Sequence, residues 1–408
     1  MIWILCLCFV KTFQRIIMRR GCTTVLLVLA AITTARVDRR LKRQNDEDRW
    51  EWGYVIESSS SIPDSNVSPR AELTNATTSP PETETEPSFC QEYNPPVPNF
   101  NTPGRRISEA KCYEYIWKLK VRLEEDKRFD ECLAYKRKKY NVQFAVGGHP
   151  TGPGDYPHMG AIGWKASVGT WVFKCGSSLI SEKFVLTAAH CARASSRDSS
   201  IADPVPKIVR LGDKNIIDSF YHGIPPTDRN ISRIIVHPQF SPPKKYFDIA
   251  LMELDKEVTF SRLLQPACLW GNFDTRNLGN DATLTGWGVV KSGSLKISPE
   301  LQAATVDILD SQLCDDLLKT SCNRNWCGMM DHQICAGKLA GGVDACQGDS
   351  GGPLQVKIPL PTNKQGQMHY VFGVISFGIG CAYPNLPGIY TRVSSFIDWI
   401  EDNVWNNT

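Results

Sequence analysis

Short β-rich segments punctuated by glycine and proline run from Ala145 towards the C-terminus. Strands of that kind, closed by frequent turns, are the pattern of an all-β sandwich or barrel. The 408-residue chain has room for such a domain and substantial appendages, and its 42% hydrophobic content suffices for a sizeable core. A net charge of +3 is close to balance and argues against a nucleic-acid-binding protein, whose phosphate contacts need a concentrated basic excess. Fifteen cysteines would be unusual in a reducing cytosol. Three of them lie in the first 22 residues, and the twelve that remain suit six disulfides.

The start of the chain reads as a secretion signal. Met1 to Val10 is apolar but too short to span a bilayer, and Lys11, Arg15, Arg19 and Arg20 separate it from a second apolar run, Cys22 to Ile32. Counted from Met18, a usable start, Arg19 and Arg20 form the basic region, the second run the apolar region, and Thr33-Thr34-Ala35 a small-residue cleavage site. Residues 1–35 are therefore assigned to the signal region and the mature chain to the extracellular space. A type II membrane anchor is the alternative, and the shortness of the apolar run counts against it.

Residues 36–144 form a prodomain. Glu57 to Ser88 is dominated by Ser, Thr, Pro and Glu and cannot bury enough apolar surface to offset its ordering entropy, which makes it a linker. It carries two acceptor sequons for N-glycosylation, Asn66 and Asn75, and Asn230 and Asn406 are two more further along. Between Ile107 and Tyr140, Cys112, Ile116, Leu119 and Leu123 recur at helical spacing with charged residues between them. That spacing predicts a short amphipathic helix.

Three motifs carry chemistry: LTAAHC ending at Cys191, FDIAL around Asp248, and DACQGDSGGP from Asp344 to Pro353. A serine hydroxyl is a poor nucleophile at neutral pH, so a neighbouring imidazole must accept its proton as it attacks a carbonyl. His190 is the candidate base and Ser350 the candidate nucleophile. The imidazole needs a carboxylate on its other nitrogen to hold one tautomer and to stabilise the positive charge, and Asp248 is the candidate. In GDSGG the small residues allow a sharp turn, so that the N–H groups of Gly348 and Ser350 can converge on a developing oxyanion. Singly, a histidine before a cysteine is more often a packed side chain, and DIAL an ordinary strand. The three together point to one acyl-transfer centre.

Together these motifs resemble the chymotrypsin-like (S1) family of serine proteases, over Ala145 to about Asn403. The resemblance implies a double six-stranded β-barrel with a C-terminal helix over residues 145–408, preceded by a largely disordered prodomain. It implies no cofactor and no metal. It also puts Asp344, six residues before Ser350, at the base of the primary specificity pocket, with Gly378 and Gly388 on its walls. A buried carboxylate facing an open slot calls for a cationic partner, Arg or Lys at the cleaved position. Ala345 stands where relatives often have Ser, which removes a hydroxyl that would help solvate an ammonium, so Arg is expected over Lys. Phe377 replaces a frequent Trp at the edge of the cleft and still offers an apolar wall, and Ser376 is expected near Asp248.

The same resemblance implies the disulfides Cys175–Cys191, Cys314–Cys335 and Cys346–Cys381, and it makes Cys268 the half-cystine that holds the prodomain. Cys112 is the preferred partner and Cys132 the second choice. Cys90–Cys132 and Cys322–Cys327 are further candidates whose connectivity spacing alone does not decide. The run Cys314, Cys322, Cys327, Cys335 would also suit zinc, although an extracellular setting favours disulfides. The stretches YPHMGAIGW, ISFGIGC and NLPGIYTRVS resemble the arthropod snake-like group of extracellular cascade proteases. That group commonly carries a six-cysteine clip domain, and with only Cys90, Cys112 and Cys132 this prodomain has no intact one. Protein substrates, an upstream activating protease and protein inhibitors such as serpins are the implied partners. A catalytically weak protease homologue acting as a cascade cofactor and a digestive protease are the competing readings.

The sequence Asn141 to Pro150, NVQFAVGGHP, resembles the site at which such zymogens are cut, between Phe144 and Ala145. The freed amine of Ala145 would pair with Asp349 beside the nucleophile and order the oxyanion loop. Ala145 fills the apolar part of that site less well than the usual Ile or Val, by about 1–2 kcal/mol. Because Phe144 offers no cation to Asp344, the activating enzyme would be a chymotrypsin-like protease. The basic run Lys136 to Lys139 then reads as a solvated face or a secondary processing site.

Overall fold

The computed structural model describes residues 87–140, 154–216, 226–289, 297–342, 345, 348–360, 367–380 and 383–406. Thirteen strands form two closed sheets among them. The first contains β1 (Met159–Lys165), β2 (Trp171–Leu179), β3 (Phe184–Thr187), β4 (Ile208–Leu211), β5 (Thr227–Val236) and β6 (Ala250–Leu254), closed in the order β1-β2-β3-β6-β5-β4. The second contains β7 (Cys268–Leu269), β8 (Asp281–Gly286), β9 (Gln302–Leu309), β10 (Gln333–Gly337), β11 (Pro353–Lys357), β12 (His369–Phe377) and β13 (Gly388–Arg392). Its order is β11-β8-β9-β10-β13-β12-β7, and a β11–β12 pairing closes six antiparallel strands while β7 adds on in parallel to β12. This is the double-barrel architecture expected for the all-β domain.

Local sequence explains which strands face water. β1 reads MGAIGWK and is buried at every position but Lys165, as a strand covered on both faces should be. Over Thr227–Ile231, β5 alternates between half-buried and exposed residues, and the alternation breaks at a bulge between Ile231 and Arg233. The core of the first barrel extends beyond its own strands. The C-terminal helix, α3 (Ile397–Val404), places Ile397, Ile400 and Val404 against it at helical spacing. A short helix, α2 (Ser311–Leu318), is capped by the Asp310 carboxylate, which accepts from the N–H groups of Gln312 and Leu313.

The first helix, α1, runs Ile107–Tyr140, 34 residues rather than the short element expected. Its first half docks. Cys112, Tyr115, Ile116 and Leu119 pack with Cys268, Ile358 and Met368, and a Cys112–Cys268 disulfide ties the helix to β7. The helix start is fixed electrostatically as well. Glu401 on α3, only 8% exposed, accepts from the Ser108 N–H at 3.1 Å and the Ser108 hydroxyl at 2.6 Å. Arg106 bonds the same carboxylate at 2.9 Å and also reaches Asp398. A carboxylate buried that deeply is tolerated because each of its oxygens has a donor and it faces the positive end of α1. The second half of α1 is polar. It is covered by the segment Pro87–Tyr93, joined to it by Cys90–Cys132 and by the Phe89–Tyr135 ring contact at 5.9 Å. Asn230 and Asn406 are exposed, whereas Asn66 and Asn75 lie outside the described residues.

His158, at the entry to β1, and His369, the first residue of β12, are 1% and 2% exposed with ring centroids 5.1 Å apart. Burial lowers the pKa of His158 to about 4, against a partly offsetting interaction with the Gln355 amide oxygen, which favours the protonated ring. His369 is held well below the usual imidazole range by burial and then by the charges of His158 and Lys357. Between the reference value near 6.5 and about 4, the unfolded chain therefore binds protons that the native chain does not, and stability falls as pH drops through that window. His158 alone should cost about 2 kcal/mol between pH 7 and pH 5. Denaturant unfolding at the two pH values, with His158→Phe as comparison, measures this. An undiminished slope in the variant would assign the acid sensitivity elsewhere.

Candidate active site

His190 sits in a single 3-10 turn, Ala189–Ala192, directly after β3, and Asp248 lies just before β6. β3 and β6 are paired, with Thr187 opposite Ala250, so the two residues leave neighbouring strand ends together. The His190 Nδ1 lies 2.8 Å from Asp248 Oδ2, and the His190 N–H donates to Asp248 Oδ1 at 2.9 Å. The Ser376 hydroxyl donates to Asp248 Oδ2 at 2.6 Å, and the Thr391 hydroxyl to the Asp248 carbonyl at 2.8 Å. Asp248 is 1% exposed. Burial pushes its pKa up, but the charge and hydrogen bonds of His190 and the hydroxyl of Ser376 outweigh this and leave it below the ordinary carboxylate value. A buried anion thus faces one edge of a part-exposed imidazole.

Two local distortions aim these groups. The β12–β13 register slips between Ile375 and Phe377, and the residue at the slip is Ser376, whose hydroxyl reaches Asp248. Bulges beside active sites commonly re-aim a side chain in this way. On the other side, Phe247 has φ 57°, a left-handed conformation costing on the order of 1–3 kcal/mol for a non-glycine residue. Its N–H donates to His332 Nε2 at 3.2 Å, and its ring is stacked on His332 at 4.2 Å and His237 at 5.6 Å. The strain is held by these rings and sets the direction of the next residue, Asp248. Phe247 lies within FDIAL, but nothing in the sequence flagged its conformation, nor His332 or His237, because their contacts join distant segments.

Ser350 is carried between the barrels. Its carbonyl accepts from the Gly176 N–H at 2.8 Å, next to Cys175, and the Cys175–Cys191 disulfide leads back to the residue beside His190. The loop preceding it turns at Gly348, φ 103°, where a Cβ would come within 2.9 Å of the Gly288 Cα. Asp349 turns away from Ser350. Its Oδ1 accepts from the Gly288 N–H at 2.7 Å, and a Cβ at either Gly286 or Gly288 would overlap this carboxylate.

Around the expected pocket, Ala345 packs against the second-barrel core, Gly388 opens β13 opposite Ala336, and Gly378 is exposed just after β12. Phe377 lies against Trp326 with ring centroids 5.7 Å apart. Asp344, Cys346, Cys381, Phe144 and Ala145 lie outside the described residues. Cys314–Cys335 and Cys322–Cys327 are disulfides, so these four sulfurs are not available to zinc. Cys175, His190 and Cys191 bring three donor atoms within 4.8 Å, but both sulfurs are spent in a disulfide. Among the described residues no helix is long and apolar enough to cross a membrane.

The family model described as Trypsin matches residues 145–400. The chain belongs to the trypsin family. This trypsin-family chain is 35% identical to serine protease snk of Drosophila melanogaster over 313 residues, which cover 75% of the chain and 67% of the relative. It is 38% identical to serine protease Hayan of Drosophila melanogaster over 255 residues, 62% of the chain and 38% of the relative. It is 32% identical to CLIP domain-containing serine protease B4 of Anopheles gambiae over 333 residues, 77% and 85% respectively. The match to snk and to the B4 protease is longer than the trypsin-family region and takes in residues before Ala145.

Proposed function

We propose that the chain is a secreted zymogen of a trypsin-like serine endopeptidase that cleaves after Arg, and less readily after Lys, in an extracellular proteolytic cascade. The observation that carries this reading is the buried Asp248, with three donors from His190 and Ser376 directed at its carboxylate. Such a carboxylate holds the Nδ1–H tautomer and leaves Nε2 free to take a proton. In this reading the Ser350 hydroxyl attacks the scissile carbonyl while His190 Nε2 takes its proton. The tetrahedral oxyanion is met by the Gly348 and Ser350 N–H groups, and Asp248 stabilises the imidazolium. His190 then returns the proton to the departing amine, and water repeats the sequence to release the acyl group. The relatives whose printed names read serine protease support a protein-cleaving role.

Asp344 supplies the preference in this reading. The test is hydrolysis of an Arg ester by processed protein whose new N-terminus is verified as Ala145. Asp344→Ser is expected to lower kcat/KM for Arg by about 10³-fold, because the guanidinium would enter the slot without its countercharge. Apolar residues should then compete. A wild-type preference for Phe or Leu over Arg would end the pocket assignment.

A further inference from the structure

We propose that His332 is a positioning residue for acyl transfer, keeping Asp248 on the His190 imidazole only while its own ring is neutral. This rests on the reading of His190, Asp248 and Ser350 as one acyl-transfer centre. Asp248 follows Phe247, whose left-handed φ of 57° a non-glycine backbone does not hold unaided. Both polar main-chain groups of Phe247 are engaged: its N–H donates to His332 Nε2 at 3.2 Å, and its carbonyl accepts from the Ile249 N–H at 2.9 Å. A ring nitrogen that accepts carries no proton of its own. Neutral His332 therefore holds its hydrogen on Nδ1.

The fold fixes where this nitrogen stands. The Arg392 N–H donates to the His332 carbonyl at 2.9 Å, and the hydroxyl of the preceding residue, Thr391, donates to the Asp248 carbonyl at 2.8 Å. His332 and Asp248 thus hang from consecutive residues of β13. The segment leading into Phe247 is tied to the loop that carries His332. The Lys245 N–H donates to the Asn325 carbonyl at 3.0 Å, the Lys245 carbonyl accepts from the Gln333 amide at 3.1 Å, and the Cys327 N–H donates to the Tyr246 hydroxyl at 2.9 Å. With both sides anchored, what changes at this contact is the proton on Nε2.

Protonated His332 would set one N–H against another, and the restraint on Phe247 would turn into a repulsion. The titratable and charged groups around the ring come from four places. His237, at the end of β5, lies on the far face of the Phe247 ring, and Asp331 precedes His332 on its own loop. Tyr246 meets the ring edge-on at 6.0 Å, while the Arg392 guanidinium is turned to the carbonyls of Asp331 and Phe273. The neighbouring Lys245 ammonium lies over Phe377 instead. Burial and then the charge of His237 lower the pKa of His332, against an opposing pull from Asp331. A lowered value favours the neutral ring in the fold. The hold on Phe247 is therefore complete at neutral pH and is lost as pH falls below the usual imidazole range.

The test uses processed full-length protein whose new N-terminus is verified as Ala145, and phenylmethylsulfonyl fluoride, a serine reagent that needs no cation at the cleaved position. Its second-order rate constant is followed against pH, over the range in which near-UV circular dichroism shows each protein folded. In wild type the rate should fall by about tenfold per pH unit while one imidazole titrates, then steepen towards about a hundredfold per unit as the second does. His332→Gln, whose amide oxygen can accept the Phe247 N–H and does not titrate, should stay at about tenfold per unit throughout. His332→Phe keeps a ring on Phe247 but no acceptor, and should react about tenfold more slowly than His332→Gln at about pH 8. A role in ring packing alone would reverse that order. Nitrogen-15 NMR of the wild-type imidazoles reads the tautomer without any variant having to fold, and Nδ1–H is expected for His332. The Nε2–H tautomer, equal pH slopes in wild type and His332→Gln, or a His332→Phe protein at least as reactive as His332→Gln would each overturn the proposal. Wild type that fails to react at all would instead strike the acyl-transfer reading, and this inference with it.

Discussion

Asp248→Asn is expected to lower kcat of the processed protein by about 10⁴-fold with KM little changed. The reason is donor and acceptor arithmetic. The Asp248 carboxylate accepts from the His190 N–H, from His190 Nδ1 and from the Ser376 hydroxyl, all within 2.9 Å. An amide has one oxygen and one NH₂, so at least one donor would face another donor. If the NH₂ turns to Nδ1, the imidazole must accept there and carries its proton on Nε2, where it can no longer receive the proton of Ser350. At 1% exposure no solvent is on hand to relieve the mismatch. Ser350→Ala should abolish turnover outright and leave the disulfide-linked fold intact, because the part-exposed hydroxyl contributes little to packing. Steady-state kinetics on an Arg ester separate these effects. A loss below about tenfold, or one confined to KM, would remove Asp248 from its proposed role.

The residues that meet at Asp248 show what a sequence can and cannot convey. His190 and Asp248, which the fold brings together, and Ser350 could each be singled out because acyl transfer demands those residue types and because each sits in a short motif. An all-β sandwich or barrel was legible from turn chemistry and short β-rich segments, and the double barrel from the family resemblance that the three motifs carry. What was not legible is the apparatus that holds them. Phe247 looks like an ordinary core residue in FDIAL, and nothing local announces a left-handed φ of 57°. That backbone state is maintained by His332 and His237, far away in sequence, through ring stacking and a hydrogen bond.

Helix α1 gives the same lesson in another form. Helical spacing identified Cys112, Ile116 and Leu119 as one face, and those side chains are buried. Its docking partner was hidden. Glu401 in IDWIEDNV reads as a surface acid on an amphipathic helix, and only the fold shows it receiving the N-terminus of α1. Periodicity reports which side of an element is apolar, whereas the polar contacts that fix register between elements depend on three-dimensional approach. Cysteine spacing is limited in the same way. It left Cys112 and Cys132 both open for Cys268, and the pairings present are Cys112–Cys268 and Cys90–Cys132.

Phe144→Arg is expected to convert a zymogen that trypsin leaves inactive into one that trypsin fully activates. Wild-type protein should be activated instead by a chymotrypsin-like enzyme cutting after Phe144. The Asp349 carboxylate lies against the backbones of Gly286 and Gly288 and accepts the Gly288 N–H. In the proposed switch the new amine of Ala145 joins Asp349 there and orders the adjoining turn at Gly348. Trypsin acting on the basic run Lys136 to Lys139 would leave Tyr140 to Phe144 attached, and that extension could not enter a buried site. The apolar part of the same site offers a second measure. Ala145→Ile should favour the active conformation by about 1–2 kcal/mol, read as higher specific activity after equal cleavage. Because α1 is bound through Cys112–Cys268, the cut protein should run as one band without reductant and two with it. N-terminal sequencing of the active species decides the matter. Full activity of the trypsin-treated wild type with Tyr140 as its new N-terminus would show that no buried Ala145 amine is needed.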